Sequence, residues 1–316
     1  TLRKGKQQEI AIRVWDPSDE GPQPRGKQIK NPHGIWYTPV TGIWQTVWLE
    51  NVPSTYIAAT AQTPDIDKQS LSVKVDIENL QPGDVVKVTA YDGQQQVGEQ
   101  IVKDKEEVAL TISNPKLWSP ANPFLYDLKY TVTRKGKVID EAGSYFAMRK
   151  ISEAPDNNGI QRMLLNNEFV FQYGPLDQGW WPDGLYTAPT DEALKYDVEQ
   201  TKAMGFNMIR KHVKVEPARW YYHCDKLGML VWQDMPSGDM GGNKWDMRVG
   251  KISGKNLDKE RSAESEAIYR TEWKAIMNAL HNYPSIVVWV PFNEAWGQFK
   301  TKEITEWTMQ LDPSRL

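Results

Sequence analysis

Apolar and polar positions alternate in two segments near the start of this 316-residue chain, residues 9–15 and 44–50. Alternation with a period of two predicts half-buried β-strands. A polar loop rich in proline and glycine, residues 17–39, separates the two segments, and a loop of that length is usually functional or held by a partner. Two strands and a loop do not make a stable domain. We therefore expect residues 1–51 to be the C-terminal part of a β-domain whose other strands precede this chain.

A second β-region follows in residues 52–147, where about seven short alternating runs are separated by turn signals such as Asp92-Gly93. The clearest runs are residues 56–61, 71–77, 85–91, 108–112 and 126–132. Short strands at this spacing are typical of an immunoglobulin-like sandwich. The chain has a single cysteine, so no intrachain disulfide is available and the core of such a sandwich depends on packing.

From residue 148 onwards the pattern changes to strands that alternate with helices. The predicted strands are residues 169–173, 206–209, 229–233 and 286–290, and the predicted helices are residues 190–204, 216–226, 262–280 and 303–311. Such alternation predicts a parallel sheet built from βα units. Four units fit either half of a closed eight-fold barrel, which takes about 250 residues, or an open doubly wound sheet. Against the second, no glycine-rich phosphate turn follows the first predicted strand.

Composition and charge limit the kinds of molecule that this chain is expected to bind. The net charge of −3 provides no basic surface of the kind that nucleic acids require. No run of about 18 apolar residues predicts a membrane-spanning helix. Cys224 lies in a helical pattern, where a buried small residue is the expected role. The four histidines lack ligand spacing with one another, so we expect no metal site and no cofactor.

The stretch richest in candidate chemistry is the apolar run Ile286–Val290, which is followed closely by Asn293 and Glu294. A carboxylate at the C-terminal end of a buried parallel strand lies where barrel enzymes place catalytic groups. Nearby aromatic residues, including Trp296, suit the apolar faces of sugar rings. The pattern alone is equally compatible with a catalytic Glu294 and with a Glu294 that caps the following helix.

Five segments, in order along the chain, resemble those of glycoside hydrolase family 2, the family of β-galactosidases, β-glucuronidases and β-mannosidases. They are residues 42–50, 117–128, 145–150, 205–212 and 292–297. The resemblance implies three domains. Residues 1–51 would be the end of a jelly-roll sugar-binding domain, residues 52–147 an immunoglobulin-like β-sandwich, and residues 148–316 the first half of a TIM (β/α)8 barrel.

The resemblance also implies a mechanism. Members of the family are retaining exo-glycosidases that use two carboxylates. By position Glu294 would be the general acid/base, and Asn293 would bind the sugar 2-hydroxyl. The nucleophile of the family ends the seventh barrel strand, and no residue of this chain fills that role. We therefore expect an internal fragment that is inactive alone.

Further residues are candidates for binding the substrate, and most of them have a structural alternative. They are Arg210, His212, Asp177, Trp181, Asp234 and Trp296. Arg210 and Asp234 could instead form an ion pair, and His212 could be a hydrogen-bonded residue behind the site. Trp181 could pack beneath its loop. For Glu216, which precedes a proline near a predicted helix start, capping is the expected role.

The implied partner is an oligosaccharide or polysaccharide glycoside, with β-galactosidase-like specificity and β-glucuronidase or β-mannosidase specificity as alternatives. A non-catalytic carbohydrate-binding piece is the other class, and the sandwich directly before the barrel argues against an endo-acting barrel enzyme. An open half barrel exposes two strand edges, which a second copy of the chain could cover in a homo-oligomer. Relatives with this loop pattern are often exported, which suggests a periplasmic or secreted protein.

Overall fold

The computed structural model describes residue 5, residues 7–238, residue 258 and residues 260–293 and 297–316. Glu294 and Trp296 lie outside these described residues. None of the helices within them is both long and apolar enough to cross a membrane.

The predicted immunoglobulin-like sandwich is confirmed as two antiparallel sheets with the strand orders β1-β2-β5 and β4-β3-β6-β7. The strands are β1 (Tyr56–Asp65), β2 (Ser70–Glu78), β3 (Asp84–Asp92), β4 (Gln95–Val102), β5 (Glu107–Thr111), β6 (Tyr126–Arg134) and β7 (Lys137–Phe146). Alternate residues of β2 and β6 point inward, so Val73, Val75 and Tyr130 are fully buried between the sheets. The core is apolar and packed, as expected for a sandwich without a disulfide.

A small antiparallel sheet comes next, formed by β8 (Ile151–Pro155), β9 (Gln161–Leu165) and β10 (Glu168–Phe169). The prediction that residues 169–173 are the first parallel strand is therefore wrong. Asn166 and Asn167 both adopt positive φ angles, 55° and 68°. Two such residues form the tight turn that suits a hairpin, and the turn brings Phe169 back to pair with Leu164 of β9.

The remaining strands form one parallel sheet in chain order, β11-β12-β13-β14. They are β11 (Leu176–Asp177), β12 (Met208–Lys211), β13 (Leu230–Asp234) and β14 (Ile286–Val290). The helices between and after them are α1 (Asp191–Ala203), α2 (Ala218–Leu227), α3 (Ala263–Leu280) and α4 (Thr301–Leu311). Strand order without reversal is that of a barrel, because a doubly wound sheet reverses at a switch point. The four predicted helices and the last three predicted strands are confirmed, while the first parallel strand is Leu176–Asp177 and not residues 169–173.

Local sequence explains where these helices begin and end. The Thr190 side chain accepts a hydrogen bond from the Ala193 N–H at 3.1 Å, and Ser262 caps α3 in the same way. Gly228 ends α2 in the left-handed conformation at φ +74°, which favours glycine. Cys224 of α2 is fully buried, and burial raises the pKa of its thiol well above the usual value. Cys224 is thus the buried small residue that its helical pattern predicts, and its thiol is held protonated.

Two predicted strands, residues 9–15 and 44–50, are not strands in this structure, because neither pairs with any other described segment. A β-strand needs a hydrogen-bonded neighbour to satisfy its backbone groups. The apolar side chains of the two segments face outward, with Ile10 72% and Leu49 82% exposed. The alternating pattern is present, but the described part of the chain contains no partner for it.

The sandwich is joined to the parallel sheet through buried polar contacts around Asp225 of α2. Tyr145 donates its hydroxyl to Asp225 Oδ2 at 2.7 Å, and the Ser285 N–H donates to Oδ1 at 2.8 Å. The Trp118 indole N–H donates to the Asp225 carbonyl at 2.8 Å. Burial raises the pKa of Asp225 to about 7, while the bonds from Ser285 and Tyr145 and the nearby Arg315 offset part of that effect.

This junction is expected to make stability depend on pH. The pKa of Asp225 is higher in the folded chain, about 7, than its ordinary value of 3.8. Its contribution is therefore fully present below about pH 4 and is lost as the pH rises through about 7. Urea unfolding of wild type and Asp225→Asn should show the wild type losing about 3 kcal/mol more than the variant between pH 5 and pH 8. A constant difference across that range would contradict the prediction.

Candidate active site

Four polar side chains meet at the carboxyl ends of β12, β13 and β14. Arg210 donates from Nε to Asp234 Oδ1 and from Nη2 to Asp234 Oδ2, both at 2.9 Å. The same Nη2 donates to Asn293 Oδ1 at 2.9 Å. His212 Nδ1 lies 3.0 Å from Asp234 Oδ2. The structure thus brings together four of the residues that the sequence nominates from three separate strand ends.

Strand geometry explains why these residues converge. Arg210 lies opposite Trp232, and Asp234 lies opposite Val290, in a parallel register. Successive side chains of a strand point to opposite faces, so Arg210 and His212 share one face while Lys211 between them points to the other. The polar cluster therefore belongs to the inner face of the sheet, at the edge where barrel enzymes build their sites.

The cluster is shielded from solvent to different degrees. Asp234 is fully buried, His212 is 4% exposed and Asn293 is 8% exposed. The Arg210 side chain is 26% exposed. A ligand at this edge would therefore meet Arg210 and Asn293 before it met Asp234.

A second charged cluster lies on the opposite face of β12. Lys211 donates to Asp177 Oδ2 at 2.6 Å and to Glu216 Oε1 at 3.0 Å, and Lys214 lies 3.0 Å from the same Glu216 oxygen. The Lys211 ammonium also sits 4.3 Å above the Trp220 ring. Burial raises the pKa of Asp177, but Lys211 outweighs it and holds that pKa below its usual value.

The contacts in this second cluster bear on the roles predicted for Asp177 and Glu216. Asp177, nominated for sugar binding, is held by Lys211 and by the Gly179 N–H at 2.7 Å, and it does not join Arg210 and Asn293. The prediction that Glu216 caps a helix is wrong. Pro217 occupies the N-cap of α2 without a side-chain hydrogen bond, and Glu216 is buried between two lysines.

Trp181 lies in the loop after β11. Its backbone forms a two-way bridge with Leu185, and its ring packs against the core beneath the helices. The indole Nε1 is buried and has no hydrogen-bond partner among the described residues. Trp181 and Asp177 both line a cavity of about 480 Å³ beside α1. The ring of Trp181 is therefore packed beneath its loop, as the structural alternative predicts. Its unpaired N–H is still compatible with a role in binding the substrate.

The long polar loop of residues 17–39 covers part of this edge, which sequence reasoning did not locate. The Arg25 and Gly26 N–H groups donate to the Ser237 carbonyl at 3.3 and 3.1 Å. Gly26 has a φ of +61°, and a Cβ there would lie 2.8 Å from the Val213 carbonyl oxygen, so the close approach requires glycine. Tyr37 stacks on Trp180 at 4.6 Å. The only signal in the sequence is the length of the loop.

The cluster at the carboxyl edge of the sheet can offer a ligand hydrogen bonds from donors of fixed orientation. One of its members, Asn293, directly precedes Glu294 in the sequence. Arg210 is oriented by a carboxylate, and Asn293 is oriented by Arg210. Within residues 7–238, 258, 260–293 and 297–316, no group of three or more histidine, cysteine, aspartate or glutamate side chains could hold a metal ion.

An immunoglobulin-like sandwich followed by a parallel βα sheet, with polar side chains gathered at its carboxyl edge, places the chain in the class of multidomain barrel proteins. Two models of one family match it, "Glycosyl hydrolases family 2" over residues 55–149 and "Glycosyl hydrolases family 2, TIM barrel domain" over residues 187–316. The chain belongs to glycosyl hydrolases family 2.

Known proteins support this membership. A protein of Formosa agariphila named "Putative beta-glucuronidase" is 29% identical over 87% of the chain and 33% of its own length. A beta-galactosidase of Lactococcus lactis is 24% identical over 87% of the chain and 26% of its own length. The chain thus spans about a quarter to a third of the length of these relatives. The crystal structure of a beta-glycosidase from Bacteroides vulgatus, 24% identical, matches 89% of the chain and 36% of its own with a TM-score of 0.67, which shows a common fold.

Proposed function

We propose that this chain forms the acid/base half of the active site of a retaining exo-β-glycosidase that hydrolyses terminal β-glycosidic bonds. The observation that carries the proposal is the convergence of Arg210, His212, Asp234 and Asn293 at the carboxyl edge of the parallel sheet. Glu294 directly follows Asn293 in the sequence, so the proposed proton donor is attached to this cluster. A retaining glycosidase needs a protonated carboxyl group on one side of the scissile bond.

The roles of the individual residues follow from that assignment. Glu294 is the general acid/base, and Asn293 and Arg210 face the sugar. Trp296 is a candidate for stacking on a sugar ring, and Trp181 offers an unpaired indole N–H. Asp177 is the weakest candidate, because Lys211 and Gly179 already occupy both of its oxygens.

The domain organisation is part of the same proposal. Residues 1–51 are the end of a jelly-roll sugar-binding domain, and residues 148–316 are the first half of the barrel. The outward-facing apolar side chains of residues 9–15 and 44–50 support the first assignment, since they are what unpaired strands of a larger sheet would expose. The retaining mechanism needs a second carboxylate, and we assign no residue of this chain to it. The chain alone should therefore not hydrolyse glycosides.

Specificity is proposed to be that of a β-galactosidase, with β-glucuronidase and β-mannosidase as alternatives, because relatives with all three names match the chain. The test compares the purified chain with a longer protein in which the second half of the barrel follows the chain. Each is assayed on p-nitrophenyl β-D-galactoside, β-D-glucuronide and β-D-mannoside. The longer protein should cleave at least one substrate and the chain alone none.

Two outcomes would count against the proposal. If the longer protein cleaves none of the three glycosides, the exo-glycosidase assignment fails, and heat released on titration with galactose, glucuronate or mannose would favour a carbohydrate-binding role. If the chain alone turns over a substrate and Glu294→Gln abolishes that turnover, the chain already holds both carboxylates.

A further inference from the structure

Asp234 is surrounded by donors on every side. Its two oxygens receive Nε and Nη2 of Arg210 at 2.9 Å, Nδ1 of His212 at 3.0 Å and the Val213 N–H at 3.3 Å. The side chain is fully buried. Three of these contacts reach Oδ2 and one reaches Oδ1, and a carboxylate has about four lone-pair directions to offer, so little accepting capacity is left for a ligand. Asp234 is therefore badly placed to bind a ligand itself, although the sequence nominates it as a substrate-binding residue.

The bidentate contact between Asp234 and Arg210 fixes the plane of the guanidinium. Fork-to-fork pairing of arginine and carboxylate restricts orientation more than a single hydrogen bond does. In that orientation Nη2 also reaches Asn293 Oδ1 at 2.9 Å. The position of the Asn293 amide oxygen thus depends on Asp234, which does not contact Asn293 itself but orients Arg210.

The orientation of the Asn293 amide has a chemical consequence. An amide accepts on one side and donates on the other. Because Arg210 binds the oxygen and thereby fixes the direction in which the amide faces, the Nδ2 hydrogens are the group left to donate to an incoming ligand. Asn293 is then a hydrogen-bond donor to a sugar hydroxyl oxygen, and a rotated amide would offer an acceptor in its place.

The same carboxylate fixes His212. A carboxylate oxygen can only accept, so the hydrogen of the 3.0 Å contact must reside on Nδ1. That contact holds the ring plane and leaves Nε2 as the nitrogen directed away from Asp234. One buried carboxylate therefore sets the orientation of two neighbouring groups.

We infer that Asp234 is a positioning residue, which acts through Arg210 to present the Nδ2 hydrogens of Asn293 to the 2-hydroxyl of the sugar, and which holds His212 with its hydrogen on Nδ1. The inference rests on the proposed glycosidase function. A positioning role can be distinguished from a structural ion pair by one measurement. If Asp234 positions Asn293, the effect of losing Asp234 should depend on whether the substrate carries a 2-hydroxyl group.

The test uses the longer protein in which the second half of the barrel follows the chain, and compares an aryl β-glycoside with its 2-deoxy analogue. Asp234→Asn keeps the size of the side chain but replaces one accepting oxygen by a donating NH₂ group, which breaks the fork to Arg210. We expect kcat/KM to fall about 100-fold for the 2-hydroxy substrate and less than about 5-fold for the 2-deoxy substrate. Equal losses on the two substrates, or no loss on either, would overturn the inference.

Asp84→Asn is the matched control. Asp84 also forms a bidentate pair, with Arg134 at 2.7 Å, and its side chain is also shielded from solvent, but it lies in the sandwich. Its replacement should leave the ratio of the two kcat/KM values unchanged. If Asp234→Asn does not fold, Arg210→Lys, which retains the charge but cannot bridge both partners, should show the same dependence on the 2-hydroxyl.

A second measurement does not need activity. Nitrogen-15 NMR of the purified chain reports which ring nitrogen of His212 carries the hydrogen. The wild type should show it on Nδ1, and Asp234→Asn should shift the population towards Nε2. An unchanged ring in the variant would overturn the assigned role for His212. If Glu294→Gln retained full activity, the glycosidase assignment of Glu294 would fail, and the 2-hydroxyl comparison and the NMR result would still decide the role of Asp234.

Discussion

Replacing Glu294 by glutamine is expected to lower kcat/KM for a phenyl β-glycoside by about 10²-fold to 10⁴-fold in a longer protein in which the second half of the barrel follows this chain, because general acid catalysis contributes a factor of that size. Glutamine keeps the size of the side chain but cannot give a proton to the leaving oxygen. A 2,4-dinitrophenyl leaving group departs without protonation, so the glycosylation step with that substrate should be slowed far less. The ratio of the kcat/KM losses on the phenyl and dinitrophenyl substrates therefore measures how much Glu294 contributes as the general acid.

The base role of Glu294 can be separated from the acid role in the same variant. Once the leaving group has departed, a retaining enzyme must activate water to release the glycosyl-enzyme. Azide needs no such activation, so it should accelerate turnover of the dinitrophenyl substrate by the Glu294→Gln variant and yield a β-glycosyl azide. Glu303→Gln, the same change on the exposed side of α4, should leave both substrates within about 2-fold of the wild type. Equal losses on both substrates without azide rescue would show that Glu294 is not the acid/base.

Elements with strong local signals could be predicted closely from the sequence. The strand Ile286–Val290 is an unbroken apolar run bounded by polar residues, and the structure gives it the predicted bounds. Helix α1 begins after Thr190, whose hydroxyl caps it, and ends just before Gly205. In each case the information lies within a few residues of the boundary, which is why single-sequence reasoning finds it.

Elements that depend on partners could not be predicted in the same way. Phe169 has strand character, but the Asn166-Asn167 turn directs it to an antiparallel neighbour instead of the parallel sheet. Residues 9–15 have the alternating pattern of a strand and no partner among the described residues. Periodicity reports which side chains prefer burial, but it does not report which strand supplies the hydrogen bonds.

The same distinction applies to the candidate site. Placing Arg210 and Asp234 at neighbouring strand ends makes their pairing foreseeable, because parallel strands bring their carboxyl ends to one edge. The buried cluster of Lys211, Lys214 and Glu216 was missed, since charged residues in a short loop resemble a solvated surface. One usable signal was present: Lys211 lies between Arg210 and His212, which both face inward, so Lys211 must point towards the helices.

Replacing Arg149 by alanine is expected to destabilise the chain by about 3–5 kcal/mol, because buried charged hydrogen-bond donors leave costly unpaired partners when they are removed. Arg149 is fully buried between the sandwich and the parallel sheet. Its guanidinium donates to the carbonyls of Pro284, Ser314 and Ile286 at 3.0, 3.0 and 3.1 Å. Alanine would leave the Pro284 and Ser314 carbonyls without this donor, while Ile286 would keep the bond from Arg315 Nε at 2.9 Å, and it would leave a cavity beside β14.

The measurement is urea unfolding of the purified chain at pH 7, followed by tryptophan fluorescence. Arg162→Ala is the control, because Arg162 forms its ion pair with Asp156 while 37% of its side chain is exposed, and such pairs contribute less than about 1 kcal/mol. Arg149→Lys should be intermediate, since an ammonium group cannot span three carbonyls in one plane. If Arg149→Ala cost no more than Arg162→Ala, the guanidinium would not be what holds the sandwich to the sheet. The edge that carries Arg210 and Asn293 would then owe its position to the other contacts between the two domains, among them the hydrogen bonds around Asp225.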